Sequence, residues 1–539
     1  MPTNRRHRVS ISKHLSDYIV NDTRWGRRAA ASAATVSKRA FPLHWTSLFG
    51  VATMASVIVL FATGLFLMFI YNPSNNPVVY HGSYAPLAGQ TVSTAFDSTM
   101  RISFEVRGGL LARQAHHWAA LLLPATVILQ MLVSFFTGGF RKPRQIQWVL
   151  LFLVFVVTLI GGWSGYALPD DMLSGTGLRI VEGIVLGIPI VGTWLSAILF
   201  GGGFPGEILE HLYPLHIVVV PIALVVLLGL KAVFALTGRV AQFPAPGRTE
   251  DNIVGIPWPA AGIRLGGLLV AVIGVIYLMA ALVTVSPIWV YGPSAPGDAS
   301  AGSQPDWYTG FLDGALRLVP SGWEFVWLGR TWTLFVLVPL AVVGIFMLLV
   351  LLYPFIERWV SGDDTEHYLL QRPRDTPVRT AIGLAGMTFY GVLWAAGSAD
   401  VVAHQLSLSI EYLIAVYQLA LFAGPVIAFI VTKRICLALQ YKDQQLVIHG
   451  YETGRIVRLP GGEYVEVHKP LTDQERWPLI SAERFHPVVL HPDDAGRLGL
   501  TRRIRSRLSH MLFKDQLDPA VPADSPTLVE SSATETLEP

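Results

Sequence analysis

Residues 113–136 read RQAHHWAALLLPATVILQMLVSFF, a run in which one arginine and two histidines open an otherwise apolar stretch. A helix of this length, at about 1.5 Å per residue, can cross the roughly 30 Å hydrocarbon core of a bilayer. A charged or imidazole side chain inside such a segment is costly and is usually functional. The stretch therefore predicts both a membrane-spanning helix and a buried site near its start.

Seven further segments are apolar over a similar length, which makes eight predicted spans. In chain order the eight cover roughly 47–70, 113–136, 147–167, 212–236, 264–288, 331–354, 379–398 and 411–435. Of the 539 residues, 52% are hydrophobic and 14% are charged, whereas a soluble domain averages about 25% charged residues. These figures predict an all-α integral membrane bundle rather than several soluble domains.

Positive charge is concentrated on one side of the predicted bundle. Nine lysines and arginines fall among residues 1–39, and the loops after the second, fourth and sixth spans are also rich in arginine. Such loops stay in the cytoplasm, so we expect both termini to be cytoplasmic, which requires an even number of spans. We divide the chain into a basic N-terminal segment (1–46), two four-helix regions (47–260 and 261–440) and a polar C-terminal tail (441–539) that is partly disordered.

Two further segments are predicted to lie along the membrane surface. The basic stretch 17–39 is expected as a helix there. The first residues are not expected to be a cleavable signal peptide, since their basic stretch is too long and no short apolar region with a cleavage site follows it. Residues 166–211 are apolar, but Gly and Pro break them into runs too short to span. We expect helices at the external surface here, with a ligand pocket, since irregular backbone near a membrane must be covered or line a cavity.

Histidine is scarce in the predicted spans: of fifteen in the chain, only His116, His117 and His216 lie well inside a span or its first turn. The second and fourth spans run in the same direction, so His116 and His216 lie at about the same depth near the external face. Two imidazoles so placed can hold a haem iron between them; a hydrogen-bonded pair across a helix interface is the alternative. Arg113, one turn before His116, is positioned to pair with a haem propionate, whereas His117 points about 100° away.

The single cysteine, Cys436, limits the chemistry that this chain can support. It excludes an internal disulfide, a CxxCH haem attachment site, a cysteine-ligated iron–sulfur cluster and a zinc site built from cysteines. Any such centre would have to be on another chain. Cys436 itself is expected as a small apolar residue near a helix end.

Several segments together resemble the cytochrome b family, and specifically its actinobacterial branch. They are RQAHHWAALL (113–122), GGFRKPRQ (138–145), GYALPDDMLSGTGLRI (165–180), GRTEDNIVG (247–255), PDWY (305–308) and LLQRPRDTPVRTAIG (369–383). The resemblance covers about residues 41–460. It implies a menaquinol-oxidising subunit of a quinol–cytochrome c reductase in the plasma membrane. The implied partners are a Rieske iron–sulfur protein, a c-type cytochrome, a terminal oxidase and a second copy in a dimer, with no nucleic acid.

The resemblance also implies a quinol pocket at the external face. The family lines it with a four-residue motif that has a carboxylate second and ends in Trp-Tyr, here Pro305, Asp306, Trp307 and Tyr308. A carboxylate at the edge of an apolar pocket can accept a proton from quinol, which makes Asp306 and Tyr308 the predicted catalytic residues. Tyr166 and the helices between 172 and 194 are expected to complete the wall. A simple turn is the alternative, because Pro and Asp favour turns.

The sequence departs from the family where a second haem would be held. Family members carry a second histidine 14 or 15 residues after the first on both spans, about 21 Å further along the helix and on the same face. In this chain none of those positions is a histidine: they hold Gln130, Met131, Leu230 and Lys231. We therefore predict one b haem, at the outer site, and an impaired electron route across the membrane.

The inner site leaves several interpretations open. Met131 and Lys231 could ligate an iron if the lysine were neutral. Otherwise Lys231 faces the vacant position, hydrogen-bonds to Gln130, or extends toward the cytoplasmic headgroups. His44, before the first span, is either a residue of an inner quinone site or an interfacial histidine.

Two other functions remain open at this point. Besides the catalytic subunit, the first alternative is a non-catalytic paralogue that acts as an assembly partner or binds quinone or an inhibitor. A transporter with a polar path at Gln130 and Lys231 is the third class, but no other buried charge would line that path.

Overall fold

Eight helices of the computed structural model, which describes residues 38–202, 207–295, 305–480, 487 and 499–517, are long and apolar enough to cross a membrane. In chain order they are Ser47–Met68, Gly109–Phe136, Gln145–Ala167, Ile208–Thr237, Trp258–Leu282, Leu334–Ser361, Pro377–Gly397 and Ile410–His449. The predicted membrane-spanning helical bundle is confirmed. The surface helix expected over 17–39 and the disordered end expected in the tail lie almost wholly outside the described residues.

The largest differences from the predicted bounds concern the fifth, sixth and eighth spans. The fifth spans Trp258–Leu282 rather than 264–288, since residues 283–287 form an irregular connection and not a last helical turn. The sixth continues to Ser361 and the eighth to His449. Both helices therefore extend beyond the apolar residues from which the two spans were predicted. The domain boundary predicted at 440 falls inside the eighth helix.

Short elements cover the outer end of the bundle, by which we mean the end with the loops after odd-numbered spans. Two helices connect the third and fourth spans, so surface helices are present where the sequence predicted them: Met172–Leu186 and Gly192–Phe200. The other outer elements are strands Pro77–Val79 and Thr91–Ser93, helices Thr94–Phe104, Ile288–Tyr291, Gly310–Arg317 and Ala399–Leu406, and the antiparallel hairpin Glu324–Trp327 with Arg330–Thr333.

The inner end carries elements that hydropathy did not predict. Ala40–Phe41 pairs with Ile256–Pro257, and a hairpin after the eighth span joins Tyr451–Arg458 to Tyr464–Lys469. Helices Asp473–Ile480 and Leu500–Phe513 follow. The tail is therefore folded over much of its described length.

The spans pack in two groups. The first packs against the second, the second against the third and the third against the fourth, while the fifth lies against the first and second. The seventh and eighth pack along each other, and the sixth packs against the third. The arrangement places the second and fourth spans, which carry the histidines, on either side of the third.

Three of the motif segments quoted above, those after the second, fourth and sixth spans, meet at the inner end. Arg141 donates from Nη2 to the carbonyl oxygen of Leu369 at 3.0 Å, and the backbone N–H of Leu369 donates to Oε2 of Glu250 at 2.9 Å. Arg379, at the start of the seventh span, donates from Nε to Oε2 of Glu357 on the sixth at 2.8 Å. The side chains of this ion pair are only 5% and 11% exposed, so the pair ties the two spans together in a poorly hydrated place.

We expect Glu357→Ala to destabilise the protein strongly. The substitution leaves the Arg379 guanidinium buried without its carboxylate, which costs roughly 3–5 kcal/mol. Thermal unfolding of the purified protein in detergent measures the effect. Glu452→Ala on the exposed hairpin is the control and should leave the midpoint unchanged; equal shifts for the two variants would contradict the assignment.

Candidate functional site

His116 and His216 face each other across the bundle near its outer end. The centroids of the two imidazole rings are 6.2 Å apart, and the ring planes make an angle of 62°. His216 lies in a π-helical turn, Leu215–Val219, directly after Pro214. Single π turns within α-helices are common at functional sites, because they redirect a side chain.

Each ring is oriented by a hydroxyl on a neighbouring span. Nδ1 of His116 lies 2.9 Å from Oγ1 of Thr63 on the first span, and Nδ1 of His216 lies 3.1 Å from Oγ of Ser164 on the third. Both hydroxyls donate their own hydrogen to a backbone carbonyl, that of Val59 and that of Gly161. They therefore accept from Nδ1–H, which leaves both Nε2 atoms without a proton and available as metal ligands.

The spacing of the rings fits an iron held between them. A metal–imidazole bond is about 2 Å long and the ring centre lies roughly 1 Å beyond the nitrogen, so two opposed ligands have centroids about 6 Å apart. Glycines on the first and third spans let the backbone approach the rings: a Cβ on Gly64 would lie 3.2 Å from Cε1 of His116, and one on Gly165 would lie 3.0 Å from Nε2 of His216. The donor set and its close surroundings suit a planar haem.

Arg113 adds a buried positive charge one turn before His116. It donates from Nη2 to the carbonyl oxygen of Ser286 at 3.0 Å, and its guanidinium lies 5.9 Å from the Trp289 ring centroid. Its Nε is buried without a hydrogen-bond partner, and no ion pair involves Arg113 in the described part of the chain. The group is therefore available to bind an anion such as a carboxylate.

The motif at 305–308 lies against the second span, beside the histidine pair. Tyr308 donates from its hydroxyl to Oδ2 of Asp306 at 2.8 Å, and Oδ1 of Asp306 lies 3.3 Å from Nε2 of His117. Trp394 on the seventh span donates from Nε1 to the carbonyl oxygen of Trp307 at 3.0 Å. No role was predicted for His117 from the sequence; its offset from His116 turns it toward this motif.

Tyr308 is almost completely buried, at 1% exposure. Its hydroxyl lies so close to Gly162 on the third span that a Cβ there would clash. Burial, followed by the neighbouring Asp306 carboxylate, raises the pKa of Tyr308 well above its usual value. The phenol therefore stays protonated and acts as a hydrogen-bond donor to Asp306.

The remaining predicted wall residues lie close by. Tyr166, half-buried at the end of the third span, approaches the first surface helix at Gly177, where a Cβ would lie 3.8 Å from the tyrosine ring. Asp171 caps that helix by accepting from the backbone N–H of Leu173 at 3.1 Å. Burial raises the pKa of Asp171, and hydrogen bonds from Ser174 oppose that change. Trp194, at the far end of the predicted wall, is 74% exposed.

The preceding residue, Asp170, is a second acidic group at the outer end. Burial raises its pKa to about 6, while a hydrogen bond from Ser93 works in the opposite direction. Its φ of 51° is in the left-handed region that non-glycine residues rarely adopt. The carboxyl group therefore takes up a proton at a higher pH than an ordinary aspartate does.

The inner positions form a different arrangement. Lys231 donates from Nζ to Oε1 of Gln130 at 2.9 Å, so the hydrogen bond considered in the sequence analysis is present. Gln130 donates from Nε2 to Oγ1 of Thr53 at 2.7 Å, and Thr53 lies 2.8 Å from the hydroxyl of Thr126. Both the oxygen and the nitrogen of the Gln130 amide thus have hydrogen-bond partners.

Apolar side chains occupy the rest of the inner half. Met131 and Leu151 are 8% and 5% exposed and belong to one cluster with Val127, Leu224 and other residues of the second, third and fourth spans. Leu151 stands 14 residues before Gly165, the glycine beside His216. At the outer site, Gly165 lets the third span approach the ring of His216 closely. At the equivalent inner position the side chain of Leu151 fills that space.

His44 lies before the first span at the inner end. Its ring stacks on Phe243 with centroids 3.8 Å apart, and Nδ1 is 3.0 Å from the hydroxyl of Thr46. Burial, and then the nearby Arg248, lowers the pKa of His44. These contacts describe a neutral ring packed at the end of the bundle.

Comparison with known proteins places the chain in a family. The family model described as "Cytochrome b(N-terminal)/b6/petB" matches residues 121–293. The chain is 42% identical over 522 residues to the cytochrome bc1 complex cytochrome b subunit of Streptomyces coelicolor, covering 96% of this chain and 95% of that protein. It is 43% identical over 472 residues to the same subunit of Mycobacterium leprae, with 87% and 84% covered.

The structure is also similar to a solved one. A chain of a hyperthermophilic respiratory Complex III matches with a TM-score of 0.56 at 19% sequence identity, over 77% of this chain and 98% of that chain. At this identity the likeness shows the fold alone. The sequence relatives carry the stronger conclusion: the chain belongs to the family of cytochrome b subunits of cytochrome bc1 complexes.

Proposed function

We propose that this chain oxidises menaquinol at the outer end of the bundle and holds a single b haem between His116 and His216. The observation that carries the proposal is the opposed ring pair at 6.2 Å, with both Nδ1–H groups bonded to hydroxyls and both Nε2 atoms free to ligate. A haem held there would supply one-electron oxidation and reduction next to the quinol pocket. Arg113 would pair with one of its propionates.

The residues of the pocket suit proton removal from quinol. Asp306 offers a carboxylate whose two oxygens face Tyr308 and His117. Tyr308 keeps its proton and orients the carboxylate, while Asp306 and His117 provide two adjacent proton acceptors. Quinol oxidation releases two protons, so a pair of acceptors matches the chemistry.

The inner half supports the proposal of one haem rather than two. An iron would need ligands in place of Gln130 and Lys231, which already hydrogen-bond to each other. A macrocycle would also need the volume that Met131, Leu151 and Leu224 fill. A methionine–lysine pair is disfavoured because Lys231 is directed at Gln130. The route from the outer haem to an inner quinone would then be impaired.

The family relationship extends the proposal to the assembly. Cytochrome bc1 complexes give this chain a Rieske iron–sulfur protein and a c-type cytochrome as electron acceptors, and Cys436 alone supplies neither centre. We further propose a dimer associated with a terminal oxidase, with both termini in the cytoplasm, where the positive loops lie.

Haem content should be close to one per polypeptide in the purified protein, measured as the pyridine haemochrome. His116→Ala and His216→Ala should each abolish the b-type absorption, since one imidazole cannot hold the iron from both sides. The exposed His404→Ala is the matched control and should retain the haem. A content near two would overturn the single-haem proposal, and a content of zero would favour the non-catalytic paralogue.

A second haem should be recoverable by rebuilding the inner site. In the triple variant Gln130→His, Lys231→His, Leu151→Gly, two imidazoles replace the amide–ammonium pair, and a glycine at 151 gives the inner site the close approach that Gly165 gives the outer one. We expect haem content to rise from near one to near two. The double histidine variant that retains Leu151 is the control and should stay near one; no rise in the triple variant would show that these positions do not define the site.

Asp306→Ala should lower menaquinol oxidation by membranes by about 10²-fold or more, because general base catalysis typically contributes that much. His117→Gln, which removes the second acceptor, should lower the rate by a smaller factor. Asp97→Asn, at an outer-end carboxylate on a separate helix, is the control. Haem content must stay unchanged in all three, and unaltered oxidation by Asp306→Ala would argue against catalysis in this pocket.

A further inference from the structure

We propose that the helix Leu500–Phe513, which we call the basic helix, binds anionic lipid headgroups at the inner end of the bundle. It follows the eighth span by some fifty residues in the chain but packs back against the sixth and seventh spans. Its role is separate from haem or quinol binding. The inference therefore stands or falls independently of the proposed function.

Contacts at its C-terminal end fix the position of the basic helix. Lys433 on the eighth span forms an ion pair with Asp515, and the backbone N–H of Leu517 donates to Oε1 of Gln440 at 3.2 Å. Gln440 in turn donates from Nε2 to the carbonyl oxygen of Arg374, in the loop after the sixth span, at 2.7 Å. The basic helix thus lies beside the inner ends of the spans.

The charge of this segment has one sign. No aspartate or glutamate occurs between 499 and 514, whereas five cations do: Arg502, Arg503, Arg505, Arg507 and Lys514. Clusters of this size on an amphipathic helix attract the anionic lipids of a membrane surface. The acidic residue that follows directly, Asp515, is paired with Lys433 on the eighth span. This pairing leaves the positive charge of the basic helix largely uncompensated by Asp515.

The exposed face of the basic helix combines apolar and basic side chains. Leu500, Ile504 and Met511 are 74%, 43% and 54% exposed, and at 100° per residue they fall within about 40° of one another. Arg507 and Lys514 lie on the same face and are also exposed, while Ser509 on the opposite face is buried. The side around Ser509 is therefore turned toward the bundle, and an apolar stripe flanked by cations remains uncovered.

An anionic lipid surface matches this face better than water does. Leucine, isoleucine and methionine gain from leaving water at the boundary between headgroups and acyl chains, where interfacial helices place their apolar side. Arginine and lysine reach from there to phosphate groups. The basic helix lies beside the inner ends of the membrane-spanning helices, the level at which that boundary is found.

The test uses the full-length protein, delipidated in detergent and titrated with phosphatidylglycerol, with bound lipid counted by native mass spectrometry. Each cation near such a surface contributes about fivefold in affinity. Removal of three charges in Arg503→Gln, Arg507→Gln, Lys514→Gln should therefore weaken the tightest binding at least tenfold. The matched control removes three exposed cations of the hairpin, Arg455→Gln, Arg458→Gln, Lys469→Gln, and should bind as the native protein does.

A second variant separates charge from apolar contact. Leu500→Ser with Met511→Ser retains every cation and the contacts of Asp515 and Leu517, and should weaken binding by a smaller factor. Equal phosphatidylglycerol affinity in the native protein and the charge variant would overturn the proposal. Equal binding of zwitterionic phosphatidylcholine would overturn it too, as would a charge variant that keeps its lipid but loses a copurifying protein subunit.

Discussion

An imidazole ring inside a membrane needs a partner for each of its nitrogens, because no bulk water is there to supply one. At the outer site this requirement couples four helices. His116 and His216 come from the second and fourth spans, and the hydroxyls that accept their Nδ1–H groups, Thr63 and Ser164, come from the first and third. The remaining need is at Nε2, where a metal ion is the partner that two opposed rings can share.

The inner half of the same helices contains no imidazole at the equivalent positions and is packed differently. Fourteen residues beyond His116, Gln130 lies between Lys231 and Thr53, so the polar groups there satisfy one another. Fourteen residues before Gly165, Leu151 fills space that a glycine would leave open. On the first span the inner position does hold a glycine: Gly50 stands 14 residues before Gly64, and a Cβ added to it would lie 3.8 Å from Oε1 of Gln130. The inner half is packed as a protein interior, and its polar residues hydrogen-bond to one another.

Hydropathy was sufficient to predict the eight spans, because a bilayer requires long apolar helices and little else. It could not place their ends: the connection at 283–287 is irregular, and the polar residues before His449 continue a helix. The histidines and the 305–308 motif were visible because ionisable and turn-forming residues are conspicuous in such a sequence. Thr63 and Ser164 were not, since hydroxyls are common in spans and only the packing shows which ones meet a ring. The contact between His117 and Asp306 joins residues 189 positions apart and required the folded chain.

The motifs at the inner end have a physical role that does not depend on electron transfer. Arg141, Glu250 and Leu369 connect the loops after the second, fourth and sixth spans, and the buried Arg379–Glu357 pair joins the sixth span to the seventh. Breaking any of these contacts leaves a buried charge or amide unpaired, so these segments are needed for folding whether or not the inner site holds a haem. Family resemblance at this end therefore reports how the spans are held together, and it does not by itself imply a working inner quinone site. His44 fits that reading, because its ring is already stacked on Phe243 and bonded to Thr46.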